Sequence, residues 1–153
     1  MKTAVIYYSS HHGNTKKIAE KLSEALEGKL FEYTDVDKYN TVDYNLIGFG
    51  SGIYHGKPAK EFLEFLEELP DVKNIKAFVF TTSGKGTDNY NNILKEELEA
   101  KGFEVVGEFS CKAFDTWGPL KIIGGKNKGK PNEEDFKRTE EFAKNLKERL
   151  NSS

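Results

Sequence analysis

A single cysteine, Cys111, stands in 153 residues, so no intrachain disulfide and no multi-cysteine metal site can form. An excess of either charge is missing too: 23 basic against 25 acidic side chains leave a formal charge of −2. Without a global cationic field, the main electrostatic reason to bind nucleic acid is gone. No apolar run approaches the roughly 20 residues of a membrane-spanning helix. The opening Met1-Lys2 followed by Thr3–Tyr8 is too short and abrupt for a secretory signal peptide. Internal repeats, low-complexity tracts and linker-like breaks in composition are also lacking. The expectation is one soluble, reduced, cytoplasmic domain spanning residues 1–153, without metal. A chain of this length buries about two-thirds of its unfolded surface and needs no staples.

What is present falls in regular blocks, although apolar residues are only 37% of the total. Thr3–Tyr8 is continuously apolar, as a strand covered on both faces should be. Ile18, Ala19, Leu22, Ala25 and Leu26 recur at helical spacing, and Gly28 closes the segment. Further strands are read at Leu30–Thr34, Tyr44–Phe49, Lys76–Thr81 and Phe103–Phe109. Between them, Pro58 suits the first turn of a helix that buries Phe62, Leu63, Phe65, Leu66 and Leu69. Tyr90, Ile93, Leu94 and Leu98 form another helical stripe. Asn132 can cap a last helix whose acidic start, Glu133–Asp135, and basic end, Lys144–Arg149, complement its dipole. Strands alternating with helices predict βαβ units, right-handed crossovers and a parallel sheet. Ligands of such sheets bind beyond the carboxyl ends of the strands.

The turn after the first strand, Ser9-Ser-His-His-Gly-Asn-Thr15, offers hydroxyls, an amide and several backbone N–H groups beside a helix start. Such a nest at the positive end of a helix suits a phosphate dianion, and Gly13 permits close backbone approach. An ordinary strand-to-helix turn with capping Ser, Asn and Thr would read the same way. Other phosphate motifs fail. A dinucleotide fingerprint needs three spaced glycines, and only Gly13 is here. In Gly124-Gly-Lys-Asn-Lys-Gly-Lys-Pro131, proline replaces the magnesium-holding Ser or Thr of a P-loop, leaving a flexible basic turn. A phosphoacceptor receiver domain would need acidic residues where Ser and His follow the first strand.

The stretch Ser10–Thr15 resembles the phosphate loop of flavodoxins, Ser/Thr-x-Thr-Gly-x-Thr after the first strand. Ser10, Gly13, Asn14 and Thr15 match. His12 stands where threonine is usual, which removes one hydroxyl donor, and His11 reads equally as a solvent-facing loop residue. The resemblance runs along essentially the whole chain, and nothing is inserted into the last strand, as in the short-chain type. It implies a flavodoxin-like doubly wound sheet of five parallel strands, order 2-1-3-4-5, with helices on both faces. It also implies non-covalent FMN, with the phosphate held by Ser10, His11, His12, Gly13, Asn14 and Thr15.

Two further loops would hold the flavin ring by the same resemblance. Ser51, Gly52, Ile53, Tyr54, His55 and Gly56 follow the third strand, and Tyr54 aligns with an aromatic that flanks the ring. The peptide after that aromatic is commonly a glycine whose carbonyl turns toward the flavin nitrogen protonated on reduction. His55 occupies that place, and a side chain makes the rotation costlier. His55 could instead give a proton or hydrogen bond to flavin or substrate. Thr82, Ser83, Gly84, Lys85 and Gly86 match the loop that binds the pyrimidine edge, while Tyr90 reads as helix core or as a ring cover. Trp117, the chain's one tryptophan, either closes over the flavin or packs. Lys57, Lys85, Lys112 and Lys121 lie near the ligand rim of a nearly neutral chain, whereas flavodoxins are usually strongly acidic. If those lysines face the flavin, the partner should be acidic or the substrate an anion. The expected function is a monomeric electron carrier between redox partner proteins, with no catalytic residue of its own. The alternative is an FMN-dependent oxidoreductase resembling protoporphyrinogen oxidases or quinone reductases.

Overall fold

The alternation of apolar side chains along β1 (Thr3–Tyr8) sends Val5 and Tyr7 to one face of a sheet and Ala4 and Ile6 to the other. Every one of these is buried, which explains why the segment reads as a continuous apolar run. The computed structural model describes residues 1–9, 13–85, 88–112 and 131–152. Among them, five long strands form a parallel sheet: β1, β2 (Lys29–Glu32), β3 (Leu46–Tyr54), β5 (Lys76–Ser83) and β6 (Glu104–Lys112). Their spatial order is β2-β1-β3-β5-β6. Counting long strands alone, this is the expected 2-1-3-4-5 order. A sixth, two-residue strand, β4 (Lys57–Pro58), pairs antiparallel with the end of β3.

Helices cover both faces. On one, α2 (Lys60–Glu67) and α3 (Asn92–Ala100) bring Phe62, Phe65, Leu66, Leu94 and Leu98 against Ile6, Ile47, Phe49 and Val79. On the other, α1 (Asn14–Ala25) and α4 (Glu133–Asn151) bring Ile18, Leu22, Ala143 and Leu146 against Val5, Phe78, Phe80 and Phe109. Each buried side chain of this size contributes about 1.5–3 kcal/mol. The start of α4 is a capping box, as its sequence suggests: the Asn132 side chain accepts from the N–H groups of Glu134 and Asp135, and the Asp135 carboxylate accepts from Asn132 N–H at 3.0 Å.

Several boundaries differ from the sequence reading. β3 does not stop at Phe49 but runs through the glycines to Tyr54. The reason lies on the neighbouring strand: Gly48 pairs with Phe78 and Gly50 with Phe80, and a Cβ on either glycine would collide with the phenyl ring across from it. The two rings fill the space that β3 leaves. Pro58 belongs to β4 rather than to the first turn of α2, whose N-cap is Ala59. β2 ends at Glu32, and a 3₁₀ turn, Tyr33–Asp35, follows it. After α1 the left-handed position is taken by Glu27, at φ 55°, not by Gly28. Tyr90 falls in the 3₁₀ turn Asp88–Asn91 ahead of α3. β6 is longer than expected and carries a bulge that leaves Val106 outside the register, and Arg149 of α4 donates to the Val106 carbonyl at 2.8 Å.

Overpacking at the β3–β5 seam should be costly. Gly48→Ala is expected to lower stability by about 1–3 kcal/mol in equilibrium urea unfolding. Adding Phe78→Leu should recover part of that loss, because the methyl then has somewhere to go; no recovery would mean that the ring is not the obstacle.

Candidate functional site

The order of strands reverses at β1, which has β2 on one side and β3 on the other. In a doubly wound sheet a crevice opens at such a point, beyond the carboxyl ends of the strands. Three segments reach it: the start of α1, the β3–β4 hairpin, and the end of β5.

Gly13 is the N-cap of α1 and adopts a left-handed conformation (φ 67°, ψ 19°), which glycine takes at little cost. It has no side chain to lend to the N–H groups of the first turn, and that turn holds no acidic residue. The helix therefore presents its positive end without an internal anion. Ser9, at the end of β1, reaches back so that its hydroxyl accepts from the Lys16 N–H at 3.3 Å. Asn14 and Thr15 are buried in the first turn. The Thr15 and Thr82 hydroxyls are 2.9 Å apart and hydrogen-bonded, either one donating. This pair ties α1 to the end of β5.

The second segment is a hairpin rather than a loose loop. Tyr54 pairs with Lys57 and Ile53 with Pro58, leaving His55 and Gly56 as the two turn residues. Both have positive φ, 53° and 82°. That combination is the signature of the type I′ turn, whose twist suits a two-residue hairpin. Histidine is among the residues that tolerate this region. Ser51 is fully buried, and its hydroxyl donates to the Gly52 carbonyl at 2.7 Å and accepts from Ala59 N–H at 3.1 Å. Its role here is to brace the hairpin. Tyr54 is half-buried and folds back across Gly52: a Cβ there would lie 2.7 Å from the Tyr54 hydroxyl and 3.4 Å from the Thr15 hydroxyl.

At the third segment, Thr82 and Ser83 are buried, Gly84 is half-buried and Lys85 is exposed. In the sheet register Gly52 stands beside Thr82. Gly13, Asn14, Thr15, Ser51, Gly52, Ile53, Tyr54, Thr82, Ser83, Gly84 and Lys85 thus gather at the carboxyl ends of β1, β3 and β5, with His55 and Gly56 exposed at the hairpin tip. Ser10, His11, His12, Gly86, Trp117 and Lys121 lie outside the described residues, as does nearly all of the basic turn Gly124–Pro131. Cys111 is buried within β6. Among the described residues no group of acidic, His or Cys side chains could hold a metal ion, and no helix is long and apolar enough to cross a membrane.

Tyr8 is a site residue that the sequence reading passed over. Its ring packs edge-on to Tyr54 at 5.9 Å and tilts against Tyr33 at 5.4 Å. Burial is the largest reason its phenol is held protonated above the usual pKa of 10.0; Glu61, Tyr54 and Tyr33 add charge effects, and Glu61 also hydrogen-bonds to it. Its signal in the sequence was slight: the last residue of a buried strand, at the carboxyl end where such sheets bind ligands.

The family model described as Flavodoxin domain matches residues 5–117, well over half of the chain. The chain belongs to the flavodoxin family. Its nine-residue β6 runs without an inserted segment, in keeping with the short-chain flavodoxins. Among relatives, an uncharacterized protein of Methanocaldococcus jannaschii is 42% identical over 148 residues, covering 95% of this chain and 98% of that one. Flavodoxin 1 of Azotobacter vinelandii is 28% identical over 141 residues, covering 82% and 81%. A solved flavodoxin from the domain Archaea has the same fold, with TM-score 0.75 over 99% of both chains at 18% identity.

The hydroxyl pair offers a direct test of how the flavodoxin crevice is held together. Thr15→Val and Thr82→Val should each cost about 1–3 kcal/mol in urea unfolding, since each leaves a buried hydroxyl without its partner. The double variant should cost about 1 kcal/mol less than the sum. Strict additivity would show that the two side chains are not coupled.

Proposed function

We propose that this flavodoxin-family chain acts as one domain that binds FMN non-covalently at the crevice above β1, β3 and β5 and carries electrons between redox proteins. The observation that supports this most is the start of α1. Its positive end has a glycine cap, lacks an acidic first turn and is tied to β5 through Thr15 and Thr82. That arrangement suits a phosphate dianion, because the N–H groups of a helix start and the helix dipole both favour negative charge there.

The residues present fit the remainder of the group. Gly13, Asn14 and Thr15 would hold the phosphate, joined by Ser10, which matches the family's motif, by His11, and by His12, which replaces the usual threonine. Tyr54 would flank the ring, since an aromatic face stacks well on a flat heterocycle. The backbone of Gly52–Gly56 on one side, and of Thr82, Ser83, Gly84, Lys85 and Gly86 on the other, would hold its edges, with Trp117 near the same rim. When bound, FMN supplies one- and two-electron chemistry, and the protein supplies binding, shielding and tuning of the potential.

The chain's own residues set the terms of that tuning. Tyr54 and Tyr8 put two rings, packed edge-on, on the hairpin side of the crevice. Tyr8 keeps its proton through the physiological range, because its pKa is raised from an already high value. His55 sits at the exposed hairpin tip with its backbone already left-handed. The cost of placing a side chain at that position is therefore met when the hairpin folds, rather than deferred to a later rotation.

Titration of the apoprotein with FMN should quench flavin fluorescence at one equivalent, with a Kd of about 1 μM or tighter, equivalent to about −8 kcal/mol. Thr15→Val should weaken binding about tenfold, a loss of about 1.4 kcal/mol. Flavin fluorescence left unchanged by excess apoprotein would contradict the proposal.

A further inference from the structure

The chain as a whole is nearly neutral, but its cations are not evenly placed. Lys16 and Lys17 lie in the first turn of α1, Lys57 in β4, Lys60 at the start of α2, Lys85 just past β5, and Lys112 at the end of β6. All six are exposed, and all lie at the end of the sheet where the strands terminate. Some lysines elsewhere are held by carboxylates: Lys76 by Glu104 at 3.2 Å and Lys147 by Glu27 at 3.5 Å, both at the opposite end, and Lys38 by Glu68. Among the described residues, the rim cations make one ion pair, Lys60 with Glu64 at 4.0 Å.

Several carboxylates near this rim are committed, while Glu32 and Asp35, exposed at and just past the end of β2, bound it on that side. Glu61 hydrogen-bonds to Tyr8, Glu64 pairs with Lys60, and Asp135 closes the capping box of α4. Glu133 and Glu134 stand in the first turn of α4, on the face of the sheet opposite α2. Lys16 and Lys17 are the least expected of the cations, because they stand at the positive end of a helix with no acidic residue in that turn. The phosphate of a bound cofactor accounts for an anion beside α1. It does not account for Lys57, Lys85 and Lys112, which stand on other elements.

We infer that this lysine rim is the docking face for a small acidic redox protein. The inference rests on the proposed FMN site, since docking there brings the partner to the crevice. The extent of the rim argues for a protein rather than a small anion. From β1 across β3 and β5 to β6 the strands span about 15 Å, at about 4.8 Å per step. A protein contact patch of about 800 Å² per partner is about 30 Å across, so the rim would form its central part. Complementary charge would steer encounter and orient the partner, at a rate that falls with salt. The exchange itself balances simply. FMN held in the crevice would supply one electron at a time to the partner's own redox centre, which would be reduced by one as the flavin is oxidised by one, with no bond formed or broken between the proteins.

The test uses the ¹⁵N-labelled full chain, both with and without FMN, titrated with a plant-type [2Fe–2S] ferredoxin as the acidic probe and cytochrome c as the basic one. The expected result is ferredoxin-induced amide shifts clustered at Lys57, Lys60 and Lys112, weakened tenfold or more between 0.02 and 0.5 M salt, roughly the span over which screening takes hold. Lys57→Glu combined with Lys112→Glu should weaken ferredoxin binding at least tenfold while leaving FMN fluorescence quenching unchanged. Tighter binding of cytochrome c, shifts on another face, or indifference to the double reversal would overturn the inference. Equal competition by millimolar citrate would assign the rim to small anions and overturn it as well. Lysine-dependent ferredoxin binding by a chain that fails to bind FMN would leave the docking face standing and remove the cofactor reading; FMN binding without the ferredoxin shifts would do the reverse.

Discussion

Phe78 and Phe80 lie where β3 has no side chains, and the geometry of the candidate site follows from that fit. With Gly48 facing one ring and Gly50 the other, β3 and β5 can pair in one register without a clash. A shift by one residue would drive both rings into backbone that carries Cβ atoms and turn every buried side chain to the wrong face. The same register carries on past the core, setting Ser51 beside Thr81 and Gly52 beside Thr82. Thr82 is thereby aimed at Thr15, and the start of α1 is held over the ends of three strands. Hydrophobic packing in the middle of the sheet thus positions polar groups at its end.

Much of this was legible in the amino-acid order, and the parts that were not share a physical cause. The buried run of β1, the apolar stripes of α2 and α3 and the capping box of α4 are local signals, and each element is present, although Tyr90 falls just ahead of α3 and Leu69 just beyond α2. The glycines after Phe49 misled because glycine usually ends a strand. Only the phenylalanines of a strand nearly thirty residues away explain why the strand continues. Pro58 misled in the same way: a proline before an apolar stripe fits a helix start, but the two-residue turn at His55–Gly56 had already committed it to β4. The main-chain features of the site, Gly13 and the start of α1, were visible as a motif. The Thr15–Thr82 bond and the packing of Tyr8 on Tyr54 join distant parts of the chain, and no spacing rule reports such contacts.

Charge divides the molecule along a different line from packing. At one end of the sheet Lys76 and Lys147 are paired with carboxylates; at the end where the loops converge, the rim lysines make one ion pair among the described residues, Lys60 with Glu64. Exposed ion pairs add little to stability, so this segregation costs the fold little and leaves the rim free to recognise something else. Among the described residues the crevice offers backbone dipoles and hydroxyls at its centre, with Lys85 exposed at its edge. A helix start suited to an anion at the centre and lysines around it can therefore serve different ligands.

The central claim is that a phosphate dianion sits, shielded from water, on the N–H groups at the start of α1. Phosphorus-31 NMR of the FMN complex across pH 5–8 tests it most directly, because a free phosphate monoester titrates with a second pKa of about 6. The account requires one resonance distinct from free FMN, with a shift that stays constant through this range. A bound resonance that follows the titration of free FMN would place the phosphate in solvent and contradict it.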